Sequence, residues 1–344
     1  MAGNHGGEPW RGTLAGSPFV VTDDGGSPFP TDDEELMRRR TPLAALAALA
    51  ALSLALAGCG GDPESSPTSP APASSATSPD ESASPSSSAP SSSTLYVALG
   101  DSLAAGYQPG GTELRDTAYP ALAASRLAGE GAELTTENLS CSGETTTSLI
   151  EGGRCEYPEG SQLGAAEAVL EAADGDIALV TIDIGGNDLL RCVRDSATID
   201  TDCVAEGVDT VETNLPGILD RLRAAAGDDV PVLVLGYYNP WLAAQALDQP
   251  VEGVAEAATA YTQLSDTIEA AAAESGTTFV SLDEAFATTD STPTEVGGRT
   301  IPENAARICT LTNLCTAGDI HFTDEGAATV GRVVAEAAQE QGVA

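Results

Sequence analysis

Apolar residues gather into short, nearly unbroken runs separated by longer stretches in which they recur every three or four positions. The runs are residues 94–100 (TLYVALG), 176–185 (DIALVTIDIG), 230–238 (VPVLVLGYY) and 277–282 (TTFVSL), with a shorter one near 134–139. Strands that are apolar at almost every position are buried on both faces, which predicts a parallel sheet covered by helices. Ala-rich stretches at 119–128, 161–173, 204–226 and 252–275 carry helical spacing, and 324–341 closes the chain with another. The pattern predicts a three-layer αβα domain over residues 94–344. Two stretches, 141–160 and 286–318, fit neither period; Pro293, Gly297, Gly298 and Pro302 interrupt the second. Long irregular segments of this kind are expected to be binding loops or lids.

The first apolar run ends abruptly. In "TLYVALGDSLAAGY", residues 94–107, the strand pattern stops at Gly100 and passes through Asp101 and Ser102 into small, helix-forming residues. Such a turn lies at the carboxyl edge of the sheet, where α/β proteins bind ligands. Ser102 is therefore placed where chemistry happens.

Upstream of the domain the composition changes. Residues 37–59, "MRRRTPLAALAALAALSLALAGC", have three arginines, an apolar stretch too short for a comfortable membrane span, and small residues before a cysteine. That is the layout of an export signal. Its end, "LAGC", resembles a bacterial lipobox, which implies acylation of Cys59 as a lipid anchor at the membrane. The acidic residues 1–36 fit a mis-assigned start, with Met37 the true one, better than a cytoplasmic extension. Residues 60–93 are nearly all Ser, Pro, Ala and Thr, too polar to offset the entropy of ordering, and read as a disordered spacer.

From residue 94 onward there are 41 Asp and Glu against 10 Arg and no Lys. Such a domain is repelled by phosphate backbones, so nucleic-acid binding is excluded and solubility is the ordinary reading of the charge. Six of the seven cysteines fall as near neighbours: Cys141 and Cys155, Cys192 and Cys203, Cys309 and Cys315. Many connectivities are open, but in an exported chain three short-loop disulfides are expected. Metal binding is the weaker reading, because there is no CxxC pair and one histidine in the domain. The acidic run 195–203, "DSATIDTDC", lacks the EF-hand pattern, and a structural Ca²⁺ there is left open. No cofactor is implied.

A serine hydroxyl is a weak nucleophile unless a base takes its proton. The only histidine downstream of the leader is His321, in "GDIHFTDEG" just before the last helix. Glycines gather beside polar groups at two more strand ends: Gly143 in "LSCSGETTTSLI" (139–150), and Gly185, Gly186, Asn187 and Asp188 in "DIGGNDLL" (183–190). Acyl transfer needs donors aimed at an oxyanion, and the N–H groups of Ser102 and Gly143 with the Asn187 amide would supply three. Each block alone reads equally as a helix cap or tight turn.

Together the four blocks, in this order, resemble the SGNH hydrolases, or GDSL-type esterases and lipases, most closely their secreted actinobacterial members. The likeness spans 94 to about 340. It implies a flavodoxin-like sheet with an open, shallow site, Ser102 as nucleophile, His321 as base, and Gly143 and Asn187 completing the oxyanion hole. The family's last block has Asp three residues before the histidine, where this chain has Gly318. Either Asp319, two residues before, or a main-chain carbonyl near Gly318 orients His321. Asp101 and Asp188 are expected to brace turns. A G-x-S-x-G elbow is absent, which disfavours the α/β-hydrolase template.

The sequence therefore points to an exported, lipid-anchored or secreted serine ester hydrolase acting on small esters or lipids through an acyl-serine. A cell-surface carbohydrate O-deacetylase and a non-catalytic binding lipoprotein are the alternatives. Tyr237, Tyr238 and Trp241 are candidate groove residues, though core packing is the commoner use of such side chains.

Overall fold

The computed structural model describes residues 94–343, apart from 174, 196–197 and 248–250. The export signal with Cys59, residues 1–36 and the 60–93 spacer lie outside the described residues. Five parallel strands form the central sheet: β1 (Thr94–Gly100), β2 (Leu134–Asn138), β3 (Ile177–Asp183), β4 (Val232–Leu235) and β5 (Thr278–Val280). Their order is β2-β1-β3-β4-β5, which is the flavodoxin-like winding.

Alternation along each strand divides the core between two layers. Val97, Leu99, Val180, Ile182, Val232 and Val234 face one side, under α2 (Gln162–Ala172), α3 (Thr201–Ala226) and α4 (Val254–Glu274). Tyr96, Ala98, Leu179, Leu233 and Leu235 face the other, under α1 (Tyr119–Gly129), α5 (Glu303–Leu311) and α6 (Asp324–Glu340). Helix α3 shows why these stretches fold as they do: Val204, Val208, Val211, Leu215, Leu219 and Leu222 recur at helical spacing, and all are buried. Each such side chain contributes roughly 1.5–3 kcal/mol by leaving water. Asp200 caps the first turn by accepting from Cys203 N–H at 3.1 Å.

The two stretches expected to be irregular hold regular structure. Residues 141–160 contain a short helix, Thr146–Glu151, whose N-cap Thr145 shares a capping box with Ser148. Residues 286–318 contain an antiparallel ribbon pairing Pro293–Val296 with Arg299–Pro302, then α5 and the turn Leu314–Ala317. These elements are too short, and too interrupted by Pro, Gly and Cys, to show a period in sequence. Disulfides join Cys141 to Cys155, Cys192 to Cys203, and Cys309 to Cys315. Among the described residues no helix is long and apolar enough to cross a membrane.

Candidate active site

The winding reverses at β1, between β2 and β3, and ligands of open α/β sheets bind at such a switch point. Ser102 opens a one-turn helix, Ser102–Ala105, directly after β1. Asp101 is its N-cap, with Oδ1 accepting from Leu103 N–H at 2.9 Å. Gly100 must be glycine: its φ is 137°, and a Cβ there would lie 1.8 Å from Asp183 Oδ1 at the end of β3. Packing of β1 on β3 thus sets the residue that precedes the turn.

The second block is tied to the first, since Cys141 N–H donates to Gly100 O at 3.0 Å. Gly143 has φ 79°, and the Arg154 guanidinium occupies the place of a Cβ, only 2.2 Å from it. Asn187 lies on the short helix Gly186–Leu190 after β3, with Gly185 at φ 116° turning the chain into it. Its amide donates to Glu144 O at 3.0 Å and to Asp101 Oδ2 at 3.3 Å. Asp188 accepts from Thr146 N–H at 2.9 Å and from its hydroxyl at 2.8 Å, bracing the second block against the third.

His321 sits on a loop held from several sides. The Cys309–Cys315 disulfide closes its base, Asn313 N–H donates to His321 O at 2.9 Å, and the Asn313 amide donates to Phe322 O at 3.2 Å. Gly318, at φ 71°, ends the Leu314–Ala317 turn in the left-handed region and folds the chain back. Asp319 consequently faces the ring although only two residues away. Its Oδ1 lies 2.7 Å from His321 Nδ1 and accepts the His321 main-chain N–H at 2.8 Å. The imidazole packs on Tyr107, with ring centroids 4.4 Å apart.

Two shallow hollows meet at Ser102. One is lined by Asn187, Leu190, Tyr237, Tyr238 and Ile320; the other by Tyr107, Gln108, Leu114 and Phe322. Ile320 lines one hollow and Phe322 the other, so the segment that carries His321 borders both, as Ser102 does. No hydrogen bond joins Ser102 Oγ to the His321 ring among the described residues. Catalytic contacts are often long before substrate binds.

Beneath the Ser102 turn lie two buried carboxyls. Burial, and then the charge of Asp101, pushes Asp183 well above the usual carboxylate range; Tyr119 OH donates to its Oδ1 at 3.2 Å, and its Oδ2 has no partner. Burial also raises Asp101, opposed by Leu103 N–H and by Tyr237 OH, which donates to Oδ2 at 2.7 Å. Asp101 has two short donors, Leu103 N–H at 2.9 Å and Tyr237 OH at 2.7 Å, with the Asn187 amide farther off at 3.3 Å, whereas the Asp183 carboxyl has one, Tyr119 OH. Burial raises Glu144 likewise. Burial pushes Asp319 upward too, but the hydrogen bonds and charge of His321 outweigh it and hold the carboxyl below its usual value.

Several of these residues carry no sequence signal. Gln162, fully buried, accepts from Gly100 N–H at 2.7 Å and donates to Gly100 O at 3.0 Å and Glu144 Oε2 at 3.1 Å, clamping the first two blocks together. Its only trace in the sequence is a polar side chain at the start of an apolar helix. Tyr119, Asp183 and Glu144 leave none. Of the three candidate groove aromatics, Tyr237 and Tyr238 line a hollow, whereas Trp241 is buried in the core against Tyr261. Among the described residues no group of His, Cys, Asp and Glu is arranged to hold a metal ion.

No curated protein matches the chain. Among solved structures, TesA is 22% identical over 72% of this chain and 99% of its own, with a TM-score of 0.44. The extracellular lipase from Streptomyces rimosus is 20% identical over 71% and 99%, with a TM-score of 0.46. Phospholipase A1 from Streptomyces albidoflavus NA297 is 22% identical over 71% and 98%, with a TM-score of 0.40. The sequence model of the GDSL-like lipase/acylhydrolase family matches residues 98–329, nearly the whole described domain. Serine turn, glycine turn, asparagine loop and histidine loop all fall inside that match, and the chain belongs to the GDSL-like lipase/acylhydrolase family, a hydrolase of ester bonds.

Proposed function

We propose that the protein is an exported serine ester hydrolase that works through an acyl-serine intermediate. Ser102 Oγ attacks the ester carbonyl while His321 Nε2 takes its proton. The oxyanion is held by Ser102 N–H, Gly143 N–H and the Asn187 amide. His321 then gives the proton to the departing alkoxide, and water, activated by the same base, releases the acid and restores Ser102.

The observation that carries this reading is the 2.7 Å contact of Asp319 Oδ1 with His321 Nδ1, in a segment whose Ile320 and Phe322 line the two hollows that share Ser102. An ionised Asp319 is only an acceptor, so Nδ1 holds the proton and Nε2 is left as the base. Export is supported by three disulfides, which persist in oxidising compartments. The signal-like segment 37–59, with Cys59 as a lipid anchor, completes that part of the proposal.

The test is turnover of p-nitrophenyl acetate, butyrate and palmitate by protein made with its disulfides intact. Ser102→Ala is expected to lower kcat on the order of 10⁴-fold or more, as for other serine hydrolases. A folded wild type whose turnover survives Ser102→Ala would sink the mechanism.

A further inference from the structure

An asparagine amide has two N–H groups, and an oxyanion hole needs one of them unclaimed. Here Glu144 O takes one at 3.0 Å, while the other reaches Asp101 Oδ2 only at 3.3 Å, beyond the usual N–H···O range. The same oxygen accepts the Tyr237 hydroxyl at 2.7 Å. A carboxyl oxygen already holding a short hydrogen bond is a weaker acceptor for a second donor. The Tyr237 ring also presses on the glycine before Asn187, since a Cβ at Gly186 would come within 2.7 Å of it. Tyr237, Asp101, Asn187 and Ser102 line one hollow.

Resting on the serine-hydrolase reading, we propose that Tyr237 is a positioning residue for Asn187: its hydroxyl occupies Asp101 Oδ2 and so leaves the second Asn187 N–H able to turn to the oxyanion. Without that hydroxyl, Asp101 Oδ2 would be left open to draw in the amide and compete with the transition state for it. Tyr237 acts through Asn187 and does not touch the reacting atoms.

Tyr237→Phe removes the hydroxyl and keeps the ring on Gly186. With p-nitrophenyl acetate, kcat is expected to fall about tenfold with KM within twofold. In an Asn187→Ala background the same substitution should change kcat less than twofold, because the residue it acts through is gone. The Asn187 side-chain amide, identified in ¹⁵N spectra by its absence from Asn187→Ala, should exchange with solvent at least threefold more slowly in Tyr237→Phe. A tyrosine that merely stiffens the loop predicts the opposite sign. Exchange that is unchanged or faster, or a tenfold kcat loss that persists without Asn187, overturns the proposal. The exchange measurement also runs in Ser102→Ala, so absence of Ser102-dependent turnover would refute the serine-hydrolase reading while the Tyr237 contact is still judged.

Discussion

Replacing Asp319 by Asn separates the two things this side chain does. Oδ1 accepts the His321 main-chain N–H at 2.8 Å, which shapes the loop, and lies 2.7 Å from Nδ1, which orients the ring. An amide oxygen retains the first contact and removes the charge from the second. Both side chains are 14% exposed, so solvent screens the interaction little. A hydrogen bond to a charged group contributes roughly 1.5–3 kcal/mol. The imidazolium it stabilises forms only during reaction, so the loss falls on kcat, by about 10- to 150-fold. Asp319 lines neither hollow, and KM should stay within twofold. Initial rates with p-nitrophenyl acetate near pH 7.5, beside a thermal melt of each protein, provide the assay. A kcat within threefold of wild type would refute the assignment and pass the orienting role to a main-chain carbonyl. A loss nearer ~10⁴-fold would mean that the amide presents its own N–H to the ring and selects the wrong tautomer. Stability gives an independent check. The folded Asp319 titrates below its ordinary value of 3.8, so it contributes stability above that pH and loses it as pH falls through the folded value. The stability gap between wild type and Asp319→Asn should shrink below about pH 4.

Two further outcomes are expected. Asp183→Asn mimics the protonated carboxyl; because the folded pKa is raised, the native state keeps a proton that the unfolded chain releases above its ordinary 3.8, and wild-type stability falls as pH rises. The variant's advantage in urea midpoint should therefore grow from pH 4 to 8, and an advantage independent of pH would show that Asp183 is ionised. Removing the Cys309–Cys315 bridge by Cys309→Ala with Cys315→Ala opens a sequence separation of 6, costing about 2 kcal/mol by loop entropy, and should lower kcat several-fold by freeing the His321 loop. Unchanged kcat at reduced Tm would mean that the Asn313 hydrogen bonds hold the loop alone.

How much was legible follows from the range over which each interaction acts. The sheet was readable because Val97, Val180 and Val234 lie in runs apolar at nearly every position, and burial on both faces leaves that mark whatever the topology. The serine and asparagine blocks were readable because a strand that breaks at glycine and polar residues is a local event. The 286–318 segment was not, since α5 and the ribbon before it are too short for their periods to stand out among prolines, glycines and cysteines.

The local pattern of the chain set the layers, the carboxyl-edge location of Ser102, and a single histidine in the domain as the candidate base. It left open which group faces that histidine. A two-residue spacing can bring Asp319 to Nδ1 only if the intervening backbone doubles back, and Gly318, Asn313 and the Cys309–Cys315 bridge settle that together. Likewise, Asp101 meets Asp183 because the β1–β3 register sets Gly100 opposite Asp183. Gln162 clamps Gly100 from a helix 62 residues away, and Tyr237 reaches Asp101 across 136. Such contacts form where separate strand ends converge. No local pattern encodes them, because each residue's partner is chosen by the packing of the whole sheet.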